Sequence, residues 1–362
     1  MAASLVERRT AGLVDRCYAG SDPARLRQDV LPRLLRLVPA DAVFFAAADP
    51  DSLLFTWSAA DEPLVGEAAR FLDNEFGAAD VNKFAELARS ADPVASLGRA
   101  TRGDLAASPR FREIMAPLGL GDELRVALRA GGSCWGFLCL HRERAVNGFD
   151  DADLAVLRTV APHLAEGLRR AVALGLAGST PARTAAPGVL LLDADGALLS
   201  ASAEARDWLA RLEPADFPSG ARLPVAVSAV AAWLARLDRE PAERVPPPTV
   251  RVRDRFGAWW TVQASRLTGP PRPQTAVIVE PTPPQQRYSL LLGSYGLSPA
   301  QTRVATLVLR GRSTREISAE LCISPNTVQE HLTAVFDRLG VRSRRELVAL
   351  ALAGGGRRPA GV

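Results

Sequence analysis

The chain has 362 residues, 48% of them hydrophobic, and its 44 basic and 40 acidic side chains give a formal net charge of +4. That length exceeds one ordinary core and that apolar content is too high for a disordered tail, so more than one globular domain is expected. Four cysteines at 17, 134, 139 and 322 form no CxxC pair, which excludes a disulfide-framed secreted scaffold and fits a reducing cytoplasm.

The opening Met1 to Arg9 lacks the apolar run of a signal segment. The most apolar helical stretch, around Leu154 to Ala177, carries Arg158, His163, Glu166, Arg169 and Arg170, so it is amphipathic and does not span a bilayer. A cytoplasmic protein with no membrane partner is expected.

Residues 1–177 read as one α+β unit. Amphipathic helices near Leu5–Tyr18 and Ala24–Val38 lead into strand-like stretches at Ala42–Asp49 and Ser52–Ser58. Helical segments follow, among them Pro109–Gly119. Two alternating runs, Glu123–Ala130 and Ser133–Glu143, are joined by Gly131-Gly132, a hairpin signal. A long helix opens at Phe149-Asp150-Asp151 and sets Leu154, Leu157, Ala161, Leu164, Leu168 and Val172 in one stripe. The stripe is more apolar than one small domain needs, which makes it a candidate self-association face. Cys134 and Cys139, an odd number of residues apart on one strand, are expected on opposite faces. Cys139 and His141 share a face, but two ligands do not make a metal site, and no metal or other cofactor is expected. The order WGFLCLHRE then FDDADLAVLRTVAPHLAEGLRRA resembles a GAF domain, which implies a sensory and dimerising module.

Residues 178–186 read as a small-residue, proline-containing linker. Residues 187–281 read as a second α+β unit. GVLLLDADGALLSASAEARDWLARL gives a strand, a turn at Asp193 to Gly196, a second strand and a helix. VRVRD, GAWWTVQASRL and TAVIVE complete its sheet, and Glu240–Thr249 reads as an internal loop. The opening resembles that of a PAS domain, although Ser202 lies where that family often has Asn nearby. No His lies between His163 and His331, and this unit has no Cys. It therefore lacks both an imidazole for haem and a thiol for a flavin adduct. Trp57, Trp135, Trp259 and Trp260 either line a ligand cavity or fill cores.

Residues 282–294 read as a linker helix, 295–356 as an all-α unit and 357–362 as a tail. The all-α unit reads as four short helices. Three open with Ser followed three residues later by Gln or Glu, at Ser298/Gln301, Ser313/Glu316 and Ser343/Glu346, the spacing of a capping box. The remaining one opens Ser324-Pro325, a hydroxyl at the N-cap and a proline at the first helical position. Gly311 and Gly340 mark helix ends. Two helices joined by a tight turn, the second well capped, are the parts of a helix-turn-helix.

On the helix from about Pro325 to Leu339, Val328, Leu332, Val335 and Leu339 recur on one face and should pack inward. Asn326, Glu330, Thr333 and Asp337 fall opposite, with Gln329 beside them. Asn and Gln pair with adenine, Glu accepts from cytosine, and Thr meets the thymine methyl, so Asn326, Gln329, Glu330 and Thr333 are the candidate base readers. From Leu297 onward ten Arg face five acids, about +5, which leaves the rest of the chain near −1. Thr314, Arg315, Ser324, Thr327, Arg338, Arg342, Arg344 and Arg345 are the candidate phosphate contacts.

This unit resembles the LuxR-type helix-turn-helix domain. The matching residues are Leu297-Ser298-Pro299, Gly311, Glu316-Ile317-Ser318, Ile323-Ser324, Asn326-Thr327-Val328 with His331, and Leu339-Gly340-Val341 with Ser343. The resemblance implies a dimeric regulator of transcription that binds double-stranded DNA at an inverted repeat and works with RNA polymerase. It also implies a dimer contact on the fourth helix, through Leu347, Leu350 and Ala351. Gln329 stands where the family often has Lys, so the operator sequence does not carry over from relatives. A small-molecule or protein effector is expected to act on the upstream units.

The competing reading is an enzyme or phosphotransfer protein with an appended DNA-binding domain. No GxSxG, P-loop, HExxH or complete GxGxxG occurs. The histidines are dispersed at 141, 163 and 331, and the carboxylates are expected mainly on surface helices. Lys83, the sole lysine, is in a helical context where a receiver domain would need it after a strand. A non-enzymatic regulator is expected.

Overall fold

The computed structural model describes residues 2–19, 22–143, 148–178, 186–212, 223–239, 248–269 and 273–352. Most of the 178–187 linker segment, the loop at 240–247, and the tail from 353 onward lie outside the described residues. Among the described helices none is long and apolar enough to cross a membrane.

The first unit is built on five strands: β1 (Ala42–Ala48), β2 (Phe55–Ala60), β3 (Val94–Ser96), β4 (Leu120–Ala130) and β5 (Ser133–Glu143). They form an antiparallel sheet in the order β2-β1-β5-β4-β3. The β4–β5 hairpin closes Ala130 onto Ser133 through Gly131 and Gly132, both at positive φ (61° and 79°). A two-residue turn of that hand matches strand twist and needs glycine-like freedom at both positions. One sheet face is covered by the helices Ala2–Cys17, Pro23–Leu37 and Asp151–Ala177, whose apolar sides share one core with Val43, Phe45, Leu124 and Leu138. Asp150 caps the long helix in a capping box with Asp153.

Three expectations are corrected here. The long-helix stripe is no free face, because Leu154, Leu157, Leu164 and Leu168 are at most 2% exposed, packed with Leu13, Cys17 and Leu26 of the N-terminal helices. Cys134 and Cys139 face the same core, because a bulge in the β4–β5 register between Leu128 and Arg129 reverses the alternation at Trp135. Both cysteines are nevertheless free. Finally, carboxylates are not confined to surface helices. Glu75, Asp80 and Glu123 are buried in ion pairs with Arg110 and Arg125.

The second unit repeats the antiparallel plan with β6 (Gly188–Leu192), β7 (Leu198–Ala201), β8 (Thr249–Arg253), β9 (Trp259–Leu267) and β10 (Gln274–Pro281), in the order β7-β6-β10-β9-β8. Helix Ala203–Arg211 follows β7, capped by Ser202. Helix Val225–Arg239, for which the sequence reading had no assignment, packs on β9 and also on β2. Its Trp233 meets Phe76 of the first unit edge-on at 6.2 Å. One continuous apolar cluster therefore runs from Phe44 and Phe137 to Trp208, Val230 and Val277.

Helix Pro284–Ser294 joins the second sheet to the last unit. It packs along the long helix and against the C-terminal helices, so Leu176 and Trp259 share a core with Leu291, Val304 and Val328. Arg169 of the long helix donates to the Ser294 carbonyl. The last unit has four helices, Pro299–Leu309, Thr314–Leu321, Pro325–Leu339 and Arg344–Leu352. Leu347, Leu350 and Ala351 are buried in that core, so the expected dimer contact through them is also corrected. Large apolar side chains that do stay exposed among the described residues are Val189, Leu198, Leu199, Phe256 and Leu267, all on the second unit.

Candidate nucleic-acid interface

The helix-turn-helix is fixed by short-range chemistry. Ser313 accepts from Glu316 N at 3.3 Å while Glu316 accepts from Ser313 N at 2.8 Å, closing the capping box of the scaffold helix Thr314–Leu321. Ser298 and Gln301 close the same box one helix earlier. At the fourth helix only half of the expected box forms. Ser343 accepts from Glu346 N, but the Glu346 carboxylate takes Arg342 N instead of Ser343 N. The scaffold helix ends at Cys322 in the left-handed region (φ 53°), a conformation usually left to glycine. Ser318 steadies that turn, accepting from Ile323 N at 3.1 Å through its carbonyl and donating to Ile323 O through its hydroxyl. The recognition helix Pro325–Leu339 starts at Ser324, which accepts from Thr327 N at 3.1 Å, and stops at Gly340 (φ 64°).

Val328, Leu332, Val335 and Leu339 are buried, as the periodicity requires. Asn326, Gln329, Glu330 and Thr333 are all exposed and share the outward face. The Thr333 hydroxyl donates to Gln329 O at 3.0 Å, so its methyl is the group left for a base. No part of the upstream units covers this face, even though the reader is docked on them.

The candidate phosphate contacts divide into two groups. Arg315, Arg342 and Arg345 are exposed, and their guanidinium groups have no hydrogen bond or ion pair. Arg344 instead donates to Arg312 O at 3.0 Å and Thr314 Oγ1 at 2.8 Å, and Arg338 donates to Gly296 O at 2.5 Å. These two brace the fourth helix and the recognition helix against the rest of the reader. Ser324 and Thr327 sit at the N-terminal end of the recognition helix, with their hydroxyls 2.9 Å apart. A helix N-terminus presents free N–H groups and the positive end of the dipole, which suits a phosphate.

The first unit offers a second polar centre that the sequence reading missed. Glu123 takes Arg110 Nε at 3.0 Å and Arg125 Nε at 3.0 Å, and Arg125 reaches Glu75 at 2.7 Å. Burial alone would raise the Glu123 carboxyl, but the two guanidinium charges outweigh it and hold it far below the usual carboxylate range. Burial lowers His141 to about 4 and Lys83 to about 8. Lys83 donates to the Asn74 carbonyl and belongs to this cluster, not to a phosphotransfer site. Glu123, Cys139 and His141 have ligand atoms within 4.8 Å of one another. A cation there would have to displace two arginines from Glu123, so the donor set does not suit a metal. The cavity beside this cluster is about 40 Å³. Small-molecule sites run to roughly 300–1,000 Å³, so this space is filled core.

Residues 296–351 match the family model of bacterial regulatory proteins of the luxR family, and residues 22–168 match that of the GAF domain. The chain thus carries a LuxR-type helix-turn-helix domain behind a GAF domain. Over 52 residues it is 46% identical to an HTH-type transcriptional regulator of Mycobacterium tuberculosis, covering 14% of this chain and 6% of that protein. It is 40% identical over 60 residues to the transcriptional activator protein ExaE of Pseudomonas putida, covering 17% and 28%. The transcriptional regulator GfsR of Streptomyces halstedii is 38% identical over 53 residues, covering 15% and 22%. The chain therefore spans only a small part of the curated relatives it matches.

Proposed function

We propose that this chain, with its LuxR-type reader and GAF domain, is a cytoplasmic, non-enzymatic, sequence-specific regulator of transcription. It binds double-stranded DNA as a homodimer at an imperfect inverted repeat and acts with RNA polymerase. Asn326, Gln329, Glu330 and Thr333 read bases. Arg315, Arg342 and Arg345 are the mobile phosphate contacts, helped by Ser324 and Thr327. Thr314, Arg338 and Arg344 hold the frame in which those contacts are made and border the phosphates. The central unit is a PAS-like domain, a reading supported by its five-stranded antiparallel order, and the two upstream domains sense a small-molecule or protein effector.

The observation that carries this reading is the exposed recognition face, free of large apolar residues, on a doubly capped helix flanked by three unpaired arginines. Selection of the full chain on a random DNA library tests it. An inverted-repeat motif is expected, with half-sites about one helical turn apart. Recovery of no motif would remove the proposal.

A further inference from the structure

A cavity of about 330 Å³ lies where the three units meet. It is within the size range of small-molecule sites, unlike the space inside the GAF core. Its walls come from β2 and β5 (Trp57, Trp135), the long helix (Leu168), β8 and β9 (Arg253, Trp259) and the helix that leads into the reader (Leu290). Three indoles from three strands, 202 positions apart at the extremes, converge on it.

Two of its wall residues hold buried polar atoms without partners. Trp259 is 7% exposed and its Nε1 has no hydrogen-bond acceptor. Ser58 is fully buried and its Oγ is likewise unpartnered. A buried donor without an acceptor costs free energy that a bound acceptor recovers. The charges on the walls are uneven. Asp49 is neutralised by Arg251 at 2.5 Å and Asp254 by Arg211 at 2.7 Å, and Asp22 caps a helix, accepting from Arg25 N. Arg253 and Arg255 have no ion pair among the described residues. Aromatic faces, an unpaired indole N–H and two free guanidinium groups together suit one class of molecule.

We propose that this junction cavity is an effector site for a planar aromatic molecule bearing one anionic group, such as an aromatic carboxylate. The ring lies among the indoles, the anion meets Arg253 and Arg255, and a polar substituent meets Trp259 Nε1 or Ser58 Oγ. Because Leu290 belongs to the helix entering the reader, occupancy favours one placement of that helix over others. The inference rests on the reading of the upstream units as a sensor.

The test titrates the full chain with benzoate, salicylate and indole-3-acetate, each beside its neutral amide, by calorimetry and tryptophan quenching. Saturable binding of at least one carboxylate is expected, at least tenfold tighter than its amide. Arg253→Ala/Arg255→Ala should weaken that carboxylate at least tenfold and leave the unfolding midpoint unchanged. Trp259→Phe keeps a ring, deletes the donor, and should weaken acid and amide alike. The proposal is overturned by no saturable binding from any of the six compounds, by equal affinity for acid and amide, or by unchanged affinity in the arginine variant. DNA affinity is measured on the same samples without probe, so its loss would count against the regulator reading and not against the cavity.

Discussion

Arg251→Met attacks the point where all three units are tied together. The Arg251 side chain is 7% exposed and that of Asp49, on the other side of the domain boundary, 2%. Asp49 accepts from Arg251 Nε at 2.7 Å and Nη2 at 2.5 Å, and Arg251 Nη1 donates to Gln286 O and Ser289 Oγ, each at 2.6 Å. Methionine leaves Asp49 only its two backbone donors, Asp51 N and residue 251 N, both at 3.0 Å. Breaking a buried pair from one side costs about 3–5 kcal/mol, because the remaining charge stays desolvated. Asp49→Asn/Arg251→Met removes both charges and should recover about 1–3 kcal/mol relative to the sum of the single variants. Burial alone would raise the Asp49 carboxyl, but Arg251 outweighs it and holds it below the usual range. A depressed folded carboxyl adds stability above its unfolded value, and that stability is lost as pH falls through the folded value. Arg251→Met should therefore flatten the acid limb as well. Urea unfolding followed by tryptophan emission is a selective readout, since the six tryptophans, at 57, 135, 208, 233, 259 and 260, all precede the reader. A loss below about 1 kcal/mol for Arg251→Met, or simple additivity in the double variant, would refute the reasoning.

Three further outcomes are expected. Arg315→Ala/Arg342→Ala/Arg345→Ala should reduce the log–log salt slope of DNA affinity by about 3, roughly one counterion per lost phosphate contact; mobility shifts across a salt series measure it, and an unchanged slope would move the phosphate contacts elsewhere. Gln329→Ala and Thr333→Ala should each relax base preference at particular operator positions by about 1–3 kcal/mol, read as altered motifs from library selection. His141→Gln should be less acid-sensitive than the wild type: burial lowers the imidazole to about 4 from 6.5, so the unfolded chain takes up a proton first, and the wild type loses about 3 kcal/mol relative to the variant as pH falls from 6.5 to 4. Parallel acid-denaturation curves for the two proteins would contradict that assignment.

What could be read from the sequence was local. Ser298/Gln301, Ser313/Glu316 and Ser324-Pro325 fix helix starts within four residues, and Val328 to Leu339 fix a face within four turns, so the reader was legible in outline. The misreadings all concern contacts between distant segments. The long-helix stripe looked unpartnered because the residues that cover it, Leu13, Cys17 and Leu26, lie more than a hundred positions away. Leu347 and Leu350 looked free because the helix Pro284–Ser294 that packs on them read as a linker. Glu75 and Arg125 pair across 50 positions, so each alone resembled a solvated charge. One extra residue at a bulge sufficed to turn Cys134 to the face of Cys139. The helix Val225–Arg239 had a usable signal in its Ala and Val periodicity, but its start carries no side-chain cap like those that mark the reader.

The docking of the reader limits how an effector could act through it. Gly131 and Gly132 of the hairpin turn lie against Gly296 and Pro299, Arg169 holds Ser294 O, and Leu176 with Trp259 joins the reader core. None of these contacts reaches Asn326, Gln329, Glu330 or Thr333, which stay exposed. Docking therefore does not mask the recognition face, and a mechanism that works by uncovering it has nothing to uncover. In the proposed dimer, the variable left is the distance and angle between two recognition helices, set by how the helix Pro284–Ser294 lies on the long helix. Each half-site is read by one face, so a change of spacing loses one half-site while the other is kept. To shift operator affinity a hundredfold, an effector has to prefer one placement of that helix by about 2.7 kcal/mol over the other. One or two charge-assisted hydrogen bonds, worth about 1.5–3 kcal/mol each, supply that difference if they form in only one placement. A cavity that borders both Leu168 and Leu290 is positioned to make contacts of this kind, whereas the filled interior of the GAF sheet is not.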